Sequence, residues 1–369
     1  MTIAPPDHFS STYGEARQRF LAAATSRGLA IASHIHPQAR GVDGEELAID
    51  VACMGPVDAR SVLVLISGTH GAEGFCGSGA QVGLLHDERF IAAAAAAGTR
   101  VVLLHALNPY GFSHLRRTNE DNVDLNRNFR DFSTPPRANA AYAEVHGFMV
   151  PTAWPPAMAV VAQLQDYVAG RGLAALQAAL TGGQCEYPDG LFYGGVRPAW
   201  SNVVLRQLLQ AEATRCQSLG WIDFHTGLGP RGHGEKILAG GNMADLARAK
   251  HWWGPDVTSF VDGSSTSAPL TGVNFNAVYD ECPQAEYAGI ALEYGTLPML
   301  EVIEALRADQ WLANTPDASA AMRTTIKRGI RDAFYQDADD WKVMVVDQAL
   351  ACTLAALQAL GRASGAPAP

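Results

Sequence analysis

Two short, continuous runs of apolar residues constrain the fold of this chain more than any other feature of its sequence. Residues 61–67 read Ser-Val-Leu-Val-Leu-Ile-Ser, and residues 100–105 read Arg-Val-Val-Leu-Leu-His. A strand that is apolar on both faces has to be covered on both faces, as in a parallel sheet between helices. Residues 77–97, between the two runs, have helical character and are followed by Gly98, a natural helix C-cap. This strand–helix–strand order predicts an α/β fold with a parallel sheet.

The remaining elements follow from periodicity and turn residues. Helices are predicted near residues 10–28, 138–148, 159–180, 201–219 and 341–360, and strands near 47–51, 221–225, 235–239 and 288–293. Residues 254–278 are rich in Gly, Ser, Thr and Asp, which predicts a long surface loop, and such loops often carry function. No proline-rich linker divides the chain, so we expect one domain over residues 1–363 and a disordered tail over residues 364–369.

The charge balance argues against several classes of partner. The chain of 369 residues has a net charge of −10 and no basic run. Nucleic-acid and anionic-membrane surfaces need clustered Lys and Arg, so we expect neither partner. No run of about 18 apolar residues is present, so no membrane span is expected. The sequence leaves the oligomeric state open, a homo-oligomer included.

Cysteine usage and the first twenty residues favour a cytoplasmic location. The six cysteines form no Cys-x-x-Cys pair, and we expect small buried apolar side chains rather than disulfides. Residues 1–20 contain neither an apolar signal core nor twin arginines. A reducing cytoplasm is therefore the expected compartment.

The first segment that carries chemistry follows the first apolar run directly. Residues 67–74 read Ser-Gly-Thr-His-Gly-Ala-Glu-Gly, which places His70 and Glu73 three residues apart where a strand end meets a helix start. Both side chains can then point into one cavity. An imidazole and a carboxylate are two thirds of the His₂Glu ligand set of catalytic zinc, which leaves a fourth position for water.

A third ligand is offered by residues 221–227, Trp-Ile-Asp-Phe-His-Thr-Gly, in which His225 ends a predicted strand. Ligands collect at the carboxyl ends of parallel strands, so we expect His225 to converge on His70 and Glu73. Each motif alone has an ordinary alternative: His-x-x-Glu is common by chance, and His225 could be a hydrogen-bonded strand-end histidine. Together they predict one bound zinc ion, with cobalt and manganese as alternatives.

Five motifs in order resemble a known superfamily. They are His-Gly-Ala-Glu-Gly at 70–74, Asn-Pro-Tyr-Gly at 108–111, Asp-Leu-Asn-Arg-Asn-Phe at 124–129, Asp-Phe-His at 223–225 and Leu-Glu-Tyr-Gly at 292–295. This set resembles the zinc carboxypeptidase superfamily, most closely its succinylglutamate desuccinylase and aspartoacylase side and a poorly characterised bacterial branch. The resemblance implies a mixed, largely parallel central sheet flanked by helices. It also implies a helical insertion at about residues 131–219, because this stretch is longer than in compact members.

The resemblance implies a role for each matching residue. His70, Glu73 and His225 match the zinc ligands, and Glu293 matches the general base. Arg117 matches the arginine that stabilises the oxyanion, with Arg116 as its alternative because the spacing is slightly long.

Substrate contacts are implied in the same way. Asn126 and Arg127 match the pair that grips the substrate carboxylate. The substrate-contacting tyrosine has no secure match, and Tyr279 and Tyr287 are both candidates. A planar guanidinium binds a carboxylate through two parallel hydrogen bonds, which lysine cannot reproduce.

The leading hypothesis is a zinc-dependent hydrolase that cleaves an amide bond next to a free carboxylate. The substrate is a peptide or an N-acyl amino acid: the motif spelling favours a deacylase, whereas the extra length leaves room for a peptide groove. The alternative is a non-catalytic zinc or ligand-binding protein that keeps the fold, and Arg127 with Asp124 could also be a structural ion pair. The sequence lacks a dinucleotide glycine pattern, a nucleophile elbow and a phosphate loop.

Overall fold

The computed structural model describes residues 4–136 and 138–363, so the predicted tail lies outside the described residues. Over these residues the chain forms seven strands and thirteen α-helices. The strands are β1 (Ala30–Arg40), β2 (Glu46–Met54), β3 (Ser61–Ile66), β4 (Arg100–His105), β5 (Ser218–Arg231), β6 (Gly234–Leu238) and β7 (Glu286–Gly295). The helices are α1 (Tyr13–Ser26), α2 (Gly74–His86), α3 (Glu88–Ala97), α4 (Pro109–Ser113), α5 (Ala140–Met149), α6 (Met158–Arg171), α7 (Leu173–Thr181), α8 (Trp200–Glu212), α9 (Met243–Trp253), α10 (Asn276–Glu281), α11 (Met299–Asn314), α12 (Ala320–Phe334) and α13 (Asp339–Ala363).

The strands form one mixed sheet in the order β1-β2-β4-β3-β5-β7-β6. Its four central strands, β4, β3, β5 and β7, run parallel. Antiparallel pairing adds β2 and β1 at one edge and β6 at the other. The predicted fold class is confirmed. Because β3, β5 and β7 are parallel neighbours, the residues that follow β3 lie at the same edge of the sheet as His225 and Glu293.

Helices cover both faces of the sheet, as the apolar runs predict. In β3, Leu63 and Leu65 pack into a core with α1, α2, α3 and α13, whereas Val62, Val64 and Ile66 pack on the opposite face with α8. A third cluster joins α5, α6 and α7 to α11 and α12. Helices α5 to α8 lie within the stretch for which an inserted helical region is predicted.

Helix α13 is long and apolar enough to cross a membrane by length and composition alone. A helix in a packed core meets the same criterion. In this structure α13 packs on α2, α3, β3 and β5. Trp341, Val345 and Ala349 on it are buried in the main core.

Several elements differ from the predictions. The helix predicted over 159–180 is two helices, α6 and α7, and the strand predicted to end at His225 continues to Arg231. The helix predicted over 77–97 is two helices, because the backbone of Asp87 is extended and its side chain caps α3 by accepting a hydrogen bond from the Arg89 N–H. Residues 218 and 219, placed at the end of a predicted helix, already belong to β5. Strand β1 was not predicted, because it lies at the sheet edge, is mostly exposed and therefore has no apolar run. The six cysteines are unpaired, and all except the half-buried Cys185 are buried.

A buried glutamine on α2 ties the carboxyl ends of β3 and β4 together. Gln81 Nε2 donates to the carbonyl oxygens of Leu65 and Leu104, each at 3.0 Å, and Gln81 Oε1 accepts from Ser67 Oγ at 3.0 Å. We predict that Gln81→Leu lowers the free energy of unfolding by about 3 kcal/mol, at about 1 kcal/mol per buried hydrogen bond. Urea denaturation followed by tryptophan fluorescence measures this, with Gln207→Leu on the exposed face of α8 as the matched control. Equal stability of the two variants would contradict the prediction.

Candidate metal centre

The turn after β3 is locked in place by backbone contacts. Gly68 has φ +64°, and His70 is followed by a single 3₁₀ turn, Gly71–Glu73, that runs into α2. A Cβ on Gly71 would lie 1.9 Å from the carbonyl carbon of Gly111, so only glycine allows this approach. The N–H groups of Gly71 and Ala72 donate to the carbonyl oxygens of Arg117 and Arg116 at 3.3 and 2.8 Å. The His70–Glu73 turn and the arginine segment are thus held as one unit.

The structure brings together the three residues expected to bind metal. Glu73 Oε1 lies 2.9 Å from His70 Nδ1, and Glu73 Oε2 lies 3.1 Å from His225 Nδ1. One ligand atom from each of the three residues lies within 4.8 Å of the others, and all three side chains are buried. Two imidazole nitrogens and a carboxylate therefore face one point.

The outer nitrogen of each imidazole contacts a buried carboxylate. His70 Nε2 lies 3.2 Å from Asp124 Oδ1, and His225 Nε2 lies 2.9 Å from Asp223 Oδ2. Such partners hold the Nε2 proton and leave Nδ1 as the metal ligand. Thr69 Oγ1 and Asn274 Nδ2 donate to Asp223 in turn. The donor set and its supports fit a divalent cation.

Acidic side chains are concentrated at the site. Four buried carboxyl groups, from Glu73, Asp124, Asp223 and Glu293, lie near the guanidinium groups of Arg117 and Arg127. A buried carboxylate is unfavourable unless it is paired, and a divalent cation can serve as such a partner.

Of the two adjacent arginines, the structure places Arg117 at the centre. Its Nε donates to Asp124 Oδ2 at 2.9 Å and its Nη1 to Glu73 Oε1 at 3.2 Å. Its Nη2 lies 2.9 Å from His70 Nε2, so all three guanidinium nitrogens contact Asp124 or the candidate metal ligands. Arg116 lies outside the cavity, where its Nε donates to Asp309 at 3.0 Å.

Asn126 and Arg127 line the same cavity as the three candidate ligands. Arg127 Nε donates to the Thr181 carbonyl at 2.8 Å, but no carboxylate of the described residues is within ion-pairing distance of its guanidinium. The alternative of an Arg127–Asp124 ion pair is not what the structure shows, because Asp124 contacts Arg117 and His70. Burial lowers the pKa of Arg127 to about 10. A buried cation without a counter-ion is suited to an anionic ligand.

Glu293 lies directly across from His225 in the parallel pairing of β5 and β7. Its Oε1 accepts a hydrogen bond from the Leu228 N–H at 3.1 Å. Burial, followed by the nearby Glu73 carboxylate, raises the pKa of Glu293. Glu293 also lines the cavity, so a carboxyl group with increased proton affinity faces the metal centre.

Neither candidate tyrosine reaches the site. The Tyr279 hydroxyl donates to Asp245 Oδ2 at 2.6 Å, and the Tyr287 hydroxyl donates to the Ala239 carbonyl at 2.7 Å. The described residues that line the cavity include no tyrosine. A contact from either tyrosine to the substrate would need a rearrangement of these hydrogen bonds.

The rest of the cavity is largely apolar and is walled by three segments: the helical stretch over residues 131–219, the loop after α9, and α11. Apolar lining residues from these segments are Leu180, Phe260, Leu270, Phe275, Met299 and Leu306. Gln177 Nε2 on α7 donates to the Thr266 carbonyl of the loop at 2.9 Å. Strand β6 also anchors this loop. The buried Glu235 carboxylate on β6 accepts hydrogen bonds from Thr258, Ser265 and Thr266 of the loop.

Sequence reasoning missed Asp223, Phe192 and Glu235. Asp223 precedes His225 by two residues on a strand, so both side chains lie on one face, and this spacing was a usable signal. Phe192 lines the cavity and contacts Arg117 and Arg127, and Glu235 anchors the loop after α9. Neither residue had a local signal, because the residues that they contact lie far away in the chain.

A cluster of two histidines and one carboxylate that opens into a cavity defines a candidate metal centre of the three-ligand type, which leaves one position for water or substrate. The chain belongs to the family described as a protein of unknown function, DUF2817, whose sequence profile matches residues 9–348. No curated protein matches the chain.

Several solved structures are similar to this chain at low identity. Carboxypeptidase A from Helicoverpa armigera matches at 12% identity and a TM-score of 0.48, covering 88% of this chain and 74% of its own. Bovine thrombin-activatable fibrinolysis inhibitor matches at 10% identity and 0.46, covering 92% and 99%. A metallo-carboxypeptidase from Burkholderia cenocepacia matches at 11% identity and 0.38, covering 90% and 69%. The first and third of these structures are named as carboxypeptidases. At this identity and TM-score, the similarity does not establish the chemistry of this chain.

The carboxylate behind His225 provides a test of the metal centre that does not depend on activity. We predict that Asp223→Asn weakens zinc binding by about tenfold to a hundredfold, because the hydrogen bond that orients the imidazole loses its charge. Competition with a chromophoric chelator measures the zinc Kd. Asp245→Asn, a buried aspartate ion-paired with Arg248 away from the cavity, is the control. An unchanged Kd in Asp223→Asn would show that Asp223 does not support a metal ligand.

Proposed function

We propose that this protein is a zinc-dependent hydrolase that cleaves an amide bond next to a free carboxylate. The observation that carries the proposal is the joint placement of the three ligand residues, Glu293, Arg117 and Arg127 in one buried cavity. Amide hydrolysis needs an activated nucleophile, stabilisation of the developing oxyanion and a proton for the leaving nitrogen. Each of these needs has a matching side chain in the cavity.

His70, Glu73 and His225 would hold the metal ion. When bound, zinc supplies a water of lowered pKa and polarises the scissile carbonyl. Glu293, across the strand pair from His225, is placed to accept the proton of the attacking water and to deliver it to the leaving nitrogen. Its raised pKa suits a group that has to hold this proton between the two steps.

The two arginines have separate proposed roles, one towards the carbonyl oxygen and one towards the carboxylate of the substrate. Arg117 is held beside the metal ligands by Asp124 and Glu73, so its guanidinium is suited to stabilise the negative charge that develops on the carbonyl oxygen. Arg127 has no carboxylate partner of its own among the described residues and is suited to bind the substrate carboxylate. Asn126 is fixed next to it, because its Oδ1 accepts the Asn274 N–H at 2.9 Å.

The walls of the cavity favour a short substrate with an apolar group. The hydrogen bond between Gln177 and Thr266 closes one side, and apolar side chains line most of the rest. This supports a short peptide or an N-acyl amino acid over a long polypeptide. The buried Glu293 carboxyl group favours catalysis over a purely ligand-binding role. Burial of a carboxylate costs free energy, which a catalytic function would explain.

The general base is tested by Glu293→Gln. We predict that this variant keeps its zinc and loses turnover by about 100- to 10,000-fold, since the amide cannot accept the proton of water. Zinc content is measured by atomic absorption and turnover on the best substrate found for the wild-type protein. Glu286→Gln, at the exposed start of the same strand, is the matched control and should keep full turnover. Turnover by Glu293→Gln at the wild-type rate would remove Glu293 from the mechanism.

The substrate class is tested with a panel that varies length and the terminal carboxylate. N-acetyl and N-succinyl amino acids, dipeptides and longer peptides are compared, each as the free acid and as the terminal amide. We predict cleavage of short free acids with an apolar residue and little or no cleavage of the amides, because an amide offers no charge to Arg127. Equal rates for acids and amides would contradict the assigned role of Arg127, and preference for long peptides would contradict the proposed selection of short substrates.

A further inference from the structure

Phe192, in the inserted region, has a strained backbone at the edge of the cavity. Its φ is +52°, in the left-handed region that bulky side chains rarely adopt. Strain of this kind persists only when the surrounding structure enforces it, and it clusters at functional sites.

Hydrogen bonds hold the backbone on both sides of Phe192. On the N-terminal side, Gln184 Nε2 donates to the Leu191 carbonyl at 3.2 Å. The Gln184 N–H donates to the Phe192 carbonyl at 3.1 Å, and the Asp124 N–H donates to the Tyr193 carbonyl at 2.8 Å. Asp124 is also the residue that contacts His70 and Arg117, so the inserted region is tied directly to the metal centre.

The Phe192 ring faces both arginines of the site. The guanidinium carbon of Arg117 lies 4.9 Å from the ring centroid and that of Arg127 lies 5.6 Å from it. The ring is buried and lines the cavity. An aromatic face attracts cations, and here it does so for two guanidinium groups that would otherwise repel each other.

Arg127 is further confined by three glycines from distant parts of the chain. A Cβ on Gly183 would lie 2.7 Å from Arg127 Cδ, and Cβ atoms on Gly194 and Gly272 would lie 2.8 and 2.3 Å from the Arg127 carbonyl oxygen. The Arg127 backbone carbonyl is thus packed closely against Gly194 and Gly272, its side chain passes next to Gly183, and the Phe192 ring lies beside its guanidinium group.

We propose that Phe192 is a positioning residue that holds Arg117 and Arg127 apart and oriented, so that one substrate presents its carbonyl oxygen to the first and its carboxylate to the second. This inference rests on the proposed function and adds a residue to it. The aromatic face is what matters, since an aliphatic side chain of similar size fills space without attracting either cation. The inserted region thus contributes to the selection of substrates with a free carboxylate.

The test compares the binding of N-acetylphenylalanine and of its terminal amide to the zinc-loaded Glu293→Gln protein, in which turnover is suppressed. We expect the parent protein to bind the acid more tightly than the amide. Adding Phe192→Leu should reduce this acid-over-amide ratio by about tenfold, as expected for the loss of a desolvated cation–π contact. Phe192→Tyr should restore most of the ratio, because it keeps the aromatic face.

Two controls separate positioning from structure. Phe334→Leu is the same substitution at another buried phenylalanine that lines the cavity, and no arginine lies over its ring among the described residues. It should keep the ratio. In an Arg127→Gln background, Phe192→Leu should have little further effect on the ratio, since Phe192 acts through Arg127. Phe192→Met provides a second non-aromatic variant if the leucine variant does not fold.

The outcomes are distinguishable. A parent protein without acid preference would overturn the carboxylate role of Arg127, and with it the proposed function. An acid preference that survives both Phe192→Leu and Phe192→Met would overturn only the role of Phe192. An equal drop of the acid-over-amide ratio in Phe334→Leu would also overturn the role of Phe192, because a general loss of packing would then explain the effect.

Discussion

The structure depends on the parallel pairing of β3, β5 and β7, which brings residues from three distant parts of the chain to one edge of the sheet. His70 and Glu73 follow β3, whereas His225 and Glu293 are opposite each other on β5 and β7. The pairing register sets the distance between the candidate ligands and the candidate base. It also concentrates four buried carboxyl groups and two guanidinium groups at one edge of the sheet. The pairing of the strands and the geometry of the candidate metal centre are therefore set together.

The sequence predicted the parts of this arrangement that are encoded locally. The apolar runs of β3 and β4 identified the buried central strands, and the sheet order agrees with the fold class expected from them. Convergence of His70, Glu73 and His225 could be expected because His70 and Glu73 follow β3 and His225 was predicted to end a strand, and strand ends of a parallel sheet meet at one edge. In the structure β5 continues beyond His225 to Arg231, but His225 still lies past the point where β3 ends. The periodicity of two along β5 contained Asp223 as well, although only His225 was singled out.

What escaped prediction depends on contacts between distant segments. The exposed edge strand β1 has no hydrophobic pattern, and the choice of Arg117 over Arg116 at the centre depends on Asp124 and Asp309, which are 185 positions apart in the chain. Tyr279 and Tyr287 were candidates by residue type, but their hydroxyl groups are bonded to Asp245 and to the Ala239 carbonyl. Phe192 reaches the arginines only because the segment between α7 and α8 lies against them. No spacing rule connects such residues.

We propose that His70, Glu73 and His225 bind one divalent ion. Anomalous X-ray diffraction at the zinc edge, from crystals of the protein loaded with one equivalent of zinc, can locate such an ion. We expect a single strong peak about 2.0–2.2 Å from His70 Nδ1, His225 Nδ1 and a Glu73 oxygen. No peak among these three side chains, or a peak bound elsewhere on the protein, would contradict it.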